Sequence, residues 1–188
     1  MDIVKKYWSN FGGLMACFIL INIALSDHSF LEINSLIWLN FTAMLVHQFE
    51  EYSYPGQFPK FYNETLLKSN KILKYPLTTN GILLVNVGLA WTFYIISGIL
   101  GDSAYWFALG LALISLSNGM LHTFMFFYLK RYNPGLITSL VIFIPFGFYL
   151  IYRIQPFLTQ EDILSGIIIF IFGSAFIPVT IFVTSKYS

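Results

Sequence analysis

Residues 34–51 read NSLIWLNFTAMLVHQFEE, an apolar run that ends in a histidine and two carboxylates within about one helical turn. The run is long enough for a membrane helix, because about 20 residues cross a hydrocarbon core of about 30 Å. The closing HQFEE is unusual in that setting, since ionisable side chains are costly to place in a bilayer. The pattern predicts a membrane helix that carries a polar functional site at one end.

The rest of the chain has the composition of an integral membrane protein. Of its 188 residues, 57% are apolar and 10% are charged, and the mean hydropathy is +0.71. Since most connections are short, consecutive helices are predicted to be antiparallel. The predicted fold is all-α, a polytopic membrane protein with one membrane domain over residues 1–188. We expect a six-transmembrane-helix bundle, with helices near residues 8–27, 34–52, 80–100, 104–130, 134–153 and 162–184.

The distribution of basic residues predicts the orientation of this bundle. Cytoplasmic loops of membrane proteins are enriched in Lys and Arg. With the N-terminus inside, only Arg153 of the ten basic residues falls on the outer side. Both termini are therefore predicted to be cytoplasmic. The basic residues on the inner side are Lys5, Lys6, Lys60, Lys68, Lys71, Lys74, Lys130, Arg131 and Lys186.

The longest connection, residues 53–79, is predicted to lie on the cytoplasmic side. It begins in the aromatic stretch YSYPGQFPKFYN and continues as ETLLKSNKILKY, residues 64–75, in which apolar side chains are interspersed with lysines. A basic amphipathic stretch of this kind suits a helix lying on an anionic membrane surface. We predict that residues 54–75 form a lid or a surface helix across the cytoplasmic mouth of the bundle.

The HQFEE stretch places three ionisable side chains on one side of the second predicted helix. Glu50 and Glu51 follow His47 at spacings of three and four residues, so both flank the imidazole. Asn40 extends this polar stripe by two turns. A second polar stripe at helical spacing lies on the fourth predicted helix and consists of Ser115, Asn118 and His122.

The two stripes are predicted to lie at the same depth in the membrane. Lys130 follows His122 by eight residues, about 12 Å along a helix axis, which places His122 in the cytoplasmic half with His47. Asn86 of the third predicted helix enters from the same side, about 9 Å deep. Three helices are thus expected to converge on one polar pocket.

Two imidazoles and a carboxylate form a donor set for a divalent metal. Zinc is favoured where the geometry is tetrahedral, with iron and manganese as alternatives. We predict that the metal ligands are His47, Glu51 and His122, because the i,i+4 spacing brings Glu51 closest to the face of His47.

The remaining polar residues of the two stripes are predicted to act on the substrate. Glu50 is expected to be the general base, and Asn118 is expected to orient a reacting carbonyl or oxyanion. An alternative is that Glu50 and Glu51 are solvated charges at a helix end, paired with Lys60 or Lys130.

Three stretches, HQFEEYSYPGQFPKFYN, NGMLH and RYNPG, resemble the HXXEE-motif family of small bacterial integral membrane proteins. The similarity covers most of residues 40–140. It implies a protein of the bacterial inner (cytoplasmic) membrane and leaves the reaction open. It also implies an enzymatic site at the positions His47, Glu50, Glu51, Asn118 and His122.

Three functional hypotheses follow. The first is a metal-dependent intramembrane enzyme, a hydrolase acting on an amphiphilic or lipid-like substrate from the cytoplasmic leaflet. The second is a proton- or cation-coupled transporter or channel that uses the same His and Glu side chains, and it ranks lower because the last two helices have few polar residues. The third is a non-catalytic scaffold. A net charge of +1 argues against a nucleic-acid partner, so the predicted partners are the lipid bilayer and the amphiphilic substrate.

Overall fold

The computed structural model describes residues 2–68 and 77–186, and within these ranges the chain is helical with short connections and no β-strand. The all-α prediction is therefore confirmed. The six predicted helices and the observed ones agree to within a few residues at most ends, although the first helix begins at Asp2. The helices are α1 (Asp2–Leu25), α2 (Ile33–Tyr52), α3 (58–66), α4 (79–100), α5 (Tyr105–Leu129), α6 (136–154) and α7 (Gln160–Lys186).

Four helical stretches of the described chain are long and apolar enough to cross a membrane: Ile3–Leu25, Thr79–Leu129, Leu136–Phe157 and Gln160–Thr184. The second stretch has 51 residues. A turn at Gly101–Ala104 divides it into α4 and α5. These two helices fold back on each other, since Tyr94 Oη lies 2.6 Å from Ser115 Oγ. The polar side chains of α2 lower its hydropathy, so α2 is not among the four stretches. The prediction of six spans thus stays a prediction.

α2 is the central helix of the bundle. It packs against α1, α4, α5 and α6, and it is buried on nearly all sides. Outer helices instead expose large apolar side chains, such as Phe18 of α1 and Phe172 of α7. Polar groups inside and apolar groups outside are the arrangement that a lipid environment requires.

Two helices change their winding beside the HQFEE end of α2. Residues Leu84–Trp91 of α4 and Ser139–Phe143 of α6 are π-helical, a wider turn that often occurs at functional sites. Trp91 Nε1 donates a hydrogen bond to Gln48 Oε1 at 2.8 Å. Phe143 stacks on His47 with ring centroids 4.4 Å apart. Both of these π-helical segments therefore contact the HQFEE stretch, and a third, Phe61–Leu66, belongs to α3.

α3 covers the same end of α2. The Phe58 ring lies 6.1 Å from the Tyr52 ring and 5.4 Å from the His122 ring. At the other end of α3, the buried side chain of Asn63 is hydrogen-bonded to both backbone groups of Leu77. Of the lid or surface helix predicted over residues 54–75, residues 58–66 form α3, and residues 69–75 lie outside the described residues.

Candidate metal centre

His47, Glu51 and His122 form a buried group in which two helices meet. Glu51 Oε1 lies 3.6 Å from Nε2 of His47, one turn away on α2, and 3.2 Å from Nε2 of His122 on α5. The side chains expose between 1% and 7% of their surface. One donor atom from each residue lies within 4.8 Å of the other two, so the group can hold a metal ion. The structure thus brings together the three residues predicted as ligands.

The hydrogen bonds of His47 determine which of its nitrogens carries the proton. Nδ1 of His47 lies 2.8 Å from Thr138 Oγ1, and the same hydroxyl lies 2.6 Å from Glu50 Oε2. An ionised carboxylate only accepts hydrogen bonds, so the Thr138 hydroxyl donates to Glu50 and accepts from His47 Nδ1–H. In the neutral imidazole, Nε2 of His47 therefore carries the lone pair, and it faces Glu51.

The hydrogen bonds of His122 lead to the same tautomer. Nδ1 of His122 lies 2.6 Å from Asn133 Oδ1, while Asn133 Nδ2 donates to the backbone carbonyl of His122 at 3.0 Å. The second bond fixes the orientation of the amide, so Oδ1 accepts from His122 Nδ1–H. In their neutral forms, both imidazoles consequently direct an Nε2 lone pair towards Glu51 Oε1, and these three atoms form a donor set for a cation.

Glu50 faces the beginning of α6. Its carboxylate accepts hydrogen bonds from the backbone N–H groups of Ile137 at 3.1 Å and Thr138 at 2.7 Å, and from the Tyr132 hydroxyl at 2.8 Å. With the Thr138 hydroxyl, this makes four donors on two oxygens. Burial raises the pKa of Tyr132, and the hydrogen bond to Glu50 raises it further, so Tyr132 remains a donor.

Both glutamates of the HQFEE stretch are buried. Glu50 is 5% exposed and Glu51 is 6% exposed, and their partners are histidine, threonine and tyrosine side chains and backbone N–H groups. The alternative that they are solvated charges paired with Lys60 or Lys130 therefore does not describe the fold. Asn118, the other predicted site residue, places Nδ2 at 3.1 Å from Nε2 of His47.

A hydrogen bond connects Asn86 to Gln48, the second residue of HQFEE. Gln48 Nε2 donates to Asn86 Oδ1 at 2.9 Å, and Gln48 Oε1 accepts from Trp91 Nε1 at 2.8 Å. Asn86 Nδ2 in turn lies 3.4 Å from the Tyr52 hydroxyl. This network joins α2 to α4, and sequence reasoning assigned no role to Gln48 or Trp91.

A cavity of about 590 Å³ lies beside the three candidate ligands His47, Glu51 and His122, called the metal group. His47, Glu51 and Asn118 form part of its polar wall. Elsewhere the wall is mostly apolar, with contributions from α2 to α7. Two of its residues, Leu121 of α5 and Ile177 of α7, are 52% and 38% exposed. The cavity is therefore bordered by buried polar groups and by accessible apolar side chains.

A family model described as "Protein of unknown function with HXXEE motif" matches residues 38–150, more than half of the chain. The chain belongs to this HXXEE family. The resemblance inferred from the motif stretches is thereby confirmed, and the match includes His47, Glu51 and His122. No curated protein and no solved structure gave a significant match. The matched region thus contains all three residues of the metal group, and the family description assigns no reaction to them.

Proposed function

We propose that this HXXEE protein is a metal-dependent membrane enzyme in which His47, Glu51 and His122 bind a divalent ion, with zinc favoured over iron or manganese. The convergence of two imidazole Nε2 atoms on one carboxylate oxygen carries the proposal. Bonds of about 2.0–2.2 Å to a tetrahedral ion separate neighbouring ligand atoms by about 3.3–3.6 Å. The distances of 3.2 Å and 3.6 Å from Glu51 Oε1 are close to this range.

We propose hydrolysis as the reaction. A divalent ion in such a site acts as a Lewis acid and makes water a better nucleophile at neutral pH. Asn118, whose amide adjoins His47 Nε2, is well placed to hold a reacting carbonyl or oxyanion at the cavity wall. Glu50 already accepts four hydrogen bonds and faces α6, which favours a positioning role over the predicted role as general base.

The proposed substrate is amphiphilic. A molecule with a polar group near Glu51 and Asn118 would bury its apolar part against the rest of the cavity wall. Leu121 and Ile177 are accessible apolar residues of that wall, which supports entry of such a molecule between α5 and α7 from the bilayer.

We propose that the site lies at the cytoplasmic end of the bundle in a bacterial inner membrane, with both termini in the cytoplasm. Basic residues support this orientation. Lys5 Nζ bonds to Asn80 Oδ1 at 3.2 Å, and the Arg131 guanidinium lies 5.8 Å from the Phe61 ring, both near the HQFEE end of α2. Arg153 lies at the far end of α6. This asymmetry is the one expected when the HQFEE end is cytoplasmic.

Metal analysis of the purified protein tests the proposal. We expect one ion per chain in the wild type and its loss in His122→Ala. The matched control is His28→Ala, because His28 is exposed and bonds to Glu32 in the α1–α2 connection. Wild-type protein that takes up no zinc, iron or manganese after metal loading would refute the metal site.

A second measurement tests the reaction. Metal-depleted and reloaded protein would be incubated in vesicles with ester and amide amphiphiles, and hydrolysis should depend on the metal. A loaded protein that conducts protons or cations across the vesicle membrane and hydrolyses none of these compounds would favour the transporter hypothesis instead.

A further inference from the structure

We infer that one short segment, residues 132–138, fixes the tautomers of both site histidines, and that Glu50 holds this segment in place. Asn133, Thr138 and Glu50 are thus positioning residues. The inference rests on the proposed function only for its effect on metal binding, because the tautomers can be observed without metal. Outer hydrogen bonds to ligating histidines commonly orient the ring and fix the protonated nitrogen.

The segment reaches the two imidazoles from opposite ends. Asn133 precedes α6 and accepts from Nδ1 of His122 at 2.6 Å. Thr138 lies in the first turn of α6 and accepts from Nδ1 of His47 at 2.8 Å. Asn133 is 0% exposed and Thr138 is 9% exposed, so water competes little for either bond. Residues 132–138 therefore accept hydrogen bonds from Nδ1–H of both histidines, although the two histidines lie on different helices.

Glu50 holds the segment by its carboxylate. The N–H groups of Ile137 and Thr138 belong to the first turn of α6, where backbone donors have no partner within the helix. A carboxylate is favourable at this position because it also interacts with the positive end of the helix dipole. The Tyr132 hydroxyl binds the same carboxylate from the other side of the turn. Glu50 thus bonds to both ends of the segment.

The carboxylate also determines the direction of the Thr138 hydroxyl. Without it, the acceptors left near the hydroxyl are the Gly135 carbonyl at 3.2 Å and Nδ1 of His47, and a hydroxyl that donates to Nδ1 accepts nothing from it. That would favour the His47 tautomer with the proton on Nε2, the nitrogen that faces Glu51. The two glutamates of the motif therefore have different roles. Glu51 faces the Nε2 atoms, and Glu50 keeps the proton on Nδ1 of His47 through Thr138.

Nitrogen-15 NMR of histidine-labelled, metal-free protein tests the inference, because the chain contains only three histidines. At a pH at which both rings are neutral, wild-type His47 and His122 should both carry the proton on Nδ1. Thr138→Val should move the proton of His47 and leave His122 unchanged. Asn133→Leu should do the reverse. Thr138→Ser, which keeps the hydroxyl, should restore the wild-type spectrum of His47.

Metal titration of the same variants supplies the second measurement. Thr138→Val and Asn133→Leu should each weaken metal binding about 10- to 100-fold, the usual effect of removing such an outer hydrogen bond. The matched control is Thr42→Val on α2, whose hydroxyl bonds, among the residues that the structure describes, to the carbonyl of Trp38 at 3.1 Å. It should change neither the spectra nor the affinity.

Two results would overturn the inference. The first is an unchanged His47 tautomer in Thr138→Val, and the second is a shift of both histidines in the Thr42→Val control. If Asn133→Leu does not fold, Asn133→Asp keeps an acceptor for His122 and should retain its Nδ1 tautomer. Wild-type protein that shows these tautomers and binds no metal would refute the proposed function and leave the inference intact.

Discussion

Gly135 lies so close to His122 that a Cβ atom at Gly135 would come within 2.6 Å of Cε1 of the imidazole. The same atom would lie 2.8 Å from Cε1 of His47. The backbone φ of Gly135 is +99°, a conformation that residues with a side chain rarely adopt. Only glycine therefore fits at this point between the α6 turn and both imidazoles.

Replacement of Gly135 by alanine should consequently displace the metal group. We expect Gly135→Ala to lower the free energy of unfolding by at least about 1 kcal/mol, because the conformation is unfavourable and the Cβ has no space. Metal affinity should fall as well. The control is Gly88→Ala on α4, where glycine is exposed and helical and its nearest neighbour is the end of the Leu84 side chain at 3.3 Å. The two variants would be compared by thermal unfolding in detergent. Equal stability of both would contradict this expectation.

The two glutamates should respond in opposite ways to replacement by glutamine. Glu51→Gln should lose the metal and keep the stability of the metal-free protein, since an amide N–H can donate to an imidazole lone pair. Glu50→Gln should cost about 1–3 kcal/mol, because a buried acceptor of four hydrogen bonds becomes partly a donor. It should still bind metal at saturating concentration.

Metal content and unfolding free energy of the two glutamine variants would be measured side by side. Identical behaviour of both variants would show that Glu50 and Glu51 share one role, contrary to the separate directions in which their carboxylates face.

Helix periodicity and membrane depth were sufficient to predict that His47, Glu51 and His122 lie together. The i,i+4 spacing places Glu51 beside His47, and the distance of His122 from Lys130 places it at the level of His47. Position around a helix and position along it are one-dimensional properties of the chain. Such properties are present in the sequence before any tertiary contact is known.

The environment of Glu50 could not be predicted in this way. Consecutive residues of a helix lie about 100° apart around its axis, so Glu50 and Glu51 face different neighbours. The neighbour of Glu50 is the beginning of α6, more than 80 residues later in the chain. Asn133 lies within the RYNPG stretch, but its bond to His122 depends on how α6 packs against α2 and α5. These contacts arise from tertiary packing.

The Gln48 network should contribute to stability without affecting the metal. Gln48→Leu would remove the present partner of Trp91 Nε1–H and of Asn86 Oδ1, and an unpaired buried polar group costs about 1–3 kcal/mol. The matched control is Gln155→Leu, because Gln155 is exposed near the end of α6. Denaturation and metal titration would be compared for the two variants. Loss of metal in Gln48→Leu with unchanged stability would contradict a structural role.

A bulky side chain at the cavity mouth should block an amphiphilic substrate. Leu121→Trp adds volume at a residue that belongs to both the cavity wall and the outer surface. We expect it to raise the KM for a long-chain amphiphile by about 10-fold or more, with little change in metal content. Phe124→Trp is the control, because Phe124 is 63% exposed on the same helix and lies outside the cavity wall. Equal kinetics of both variants would exclude entry beside Leu121.

The orientation of the bundle can be tested with single cysteines. Cys17 is exposed on α1 and would first be replaced by serine, so that only the introduced thiol reacts. Ser29→Cys in the α1–α2 connection lies at the end opposite HQFEE and should react with an impermeant maleimide in intact spheroplasts. Lys130→Cys lies at the HQFEE end and should react only after the membrane is permeabilised. The reverse labelling pattern would place the metal group at the outer face, and the substrate would then enter from the outer leaflet.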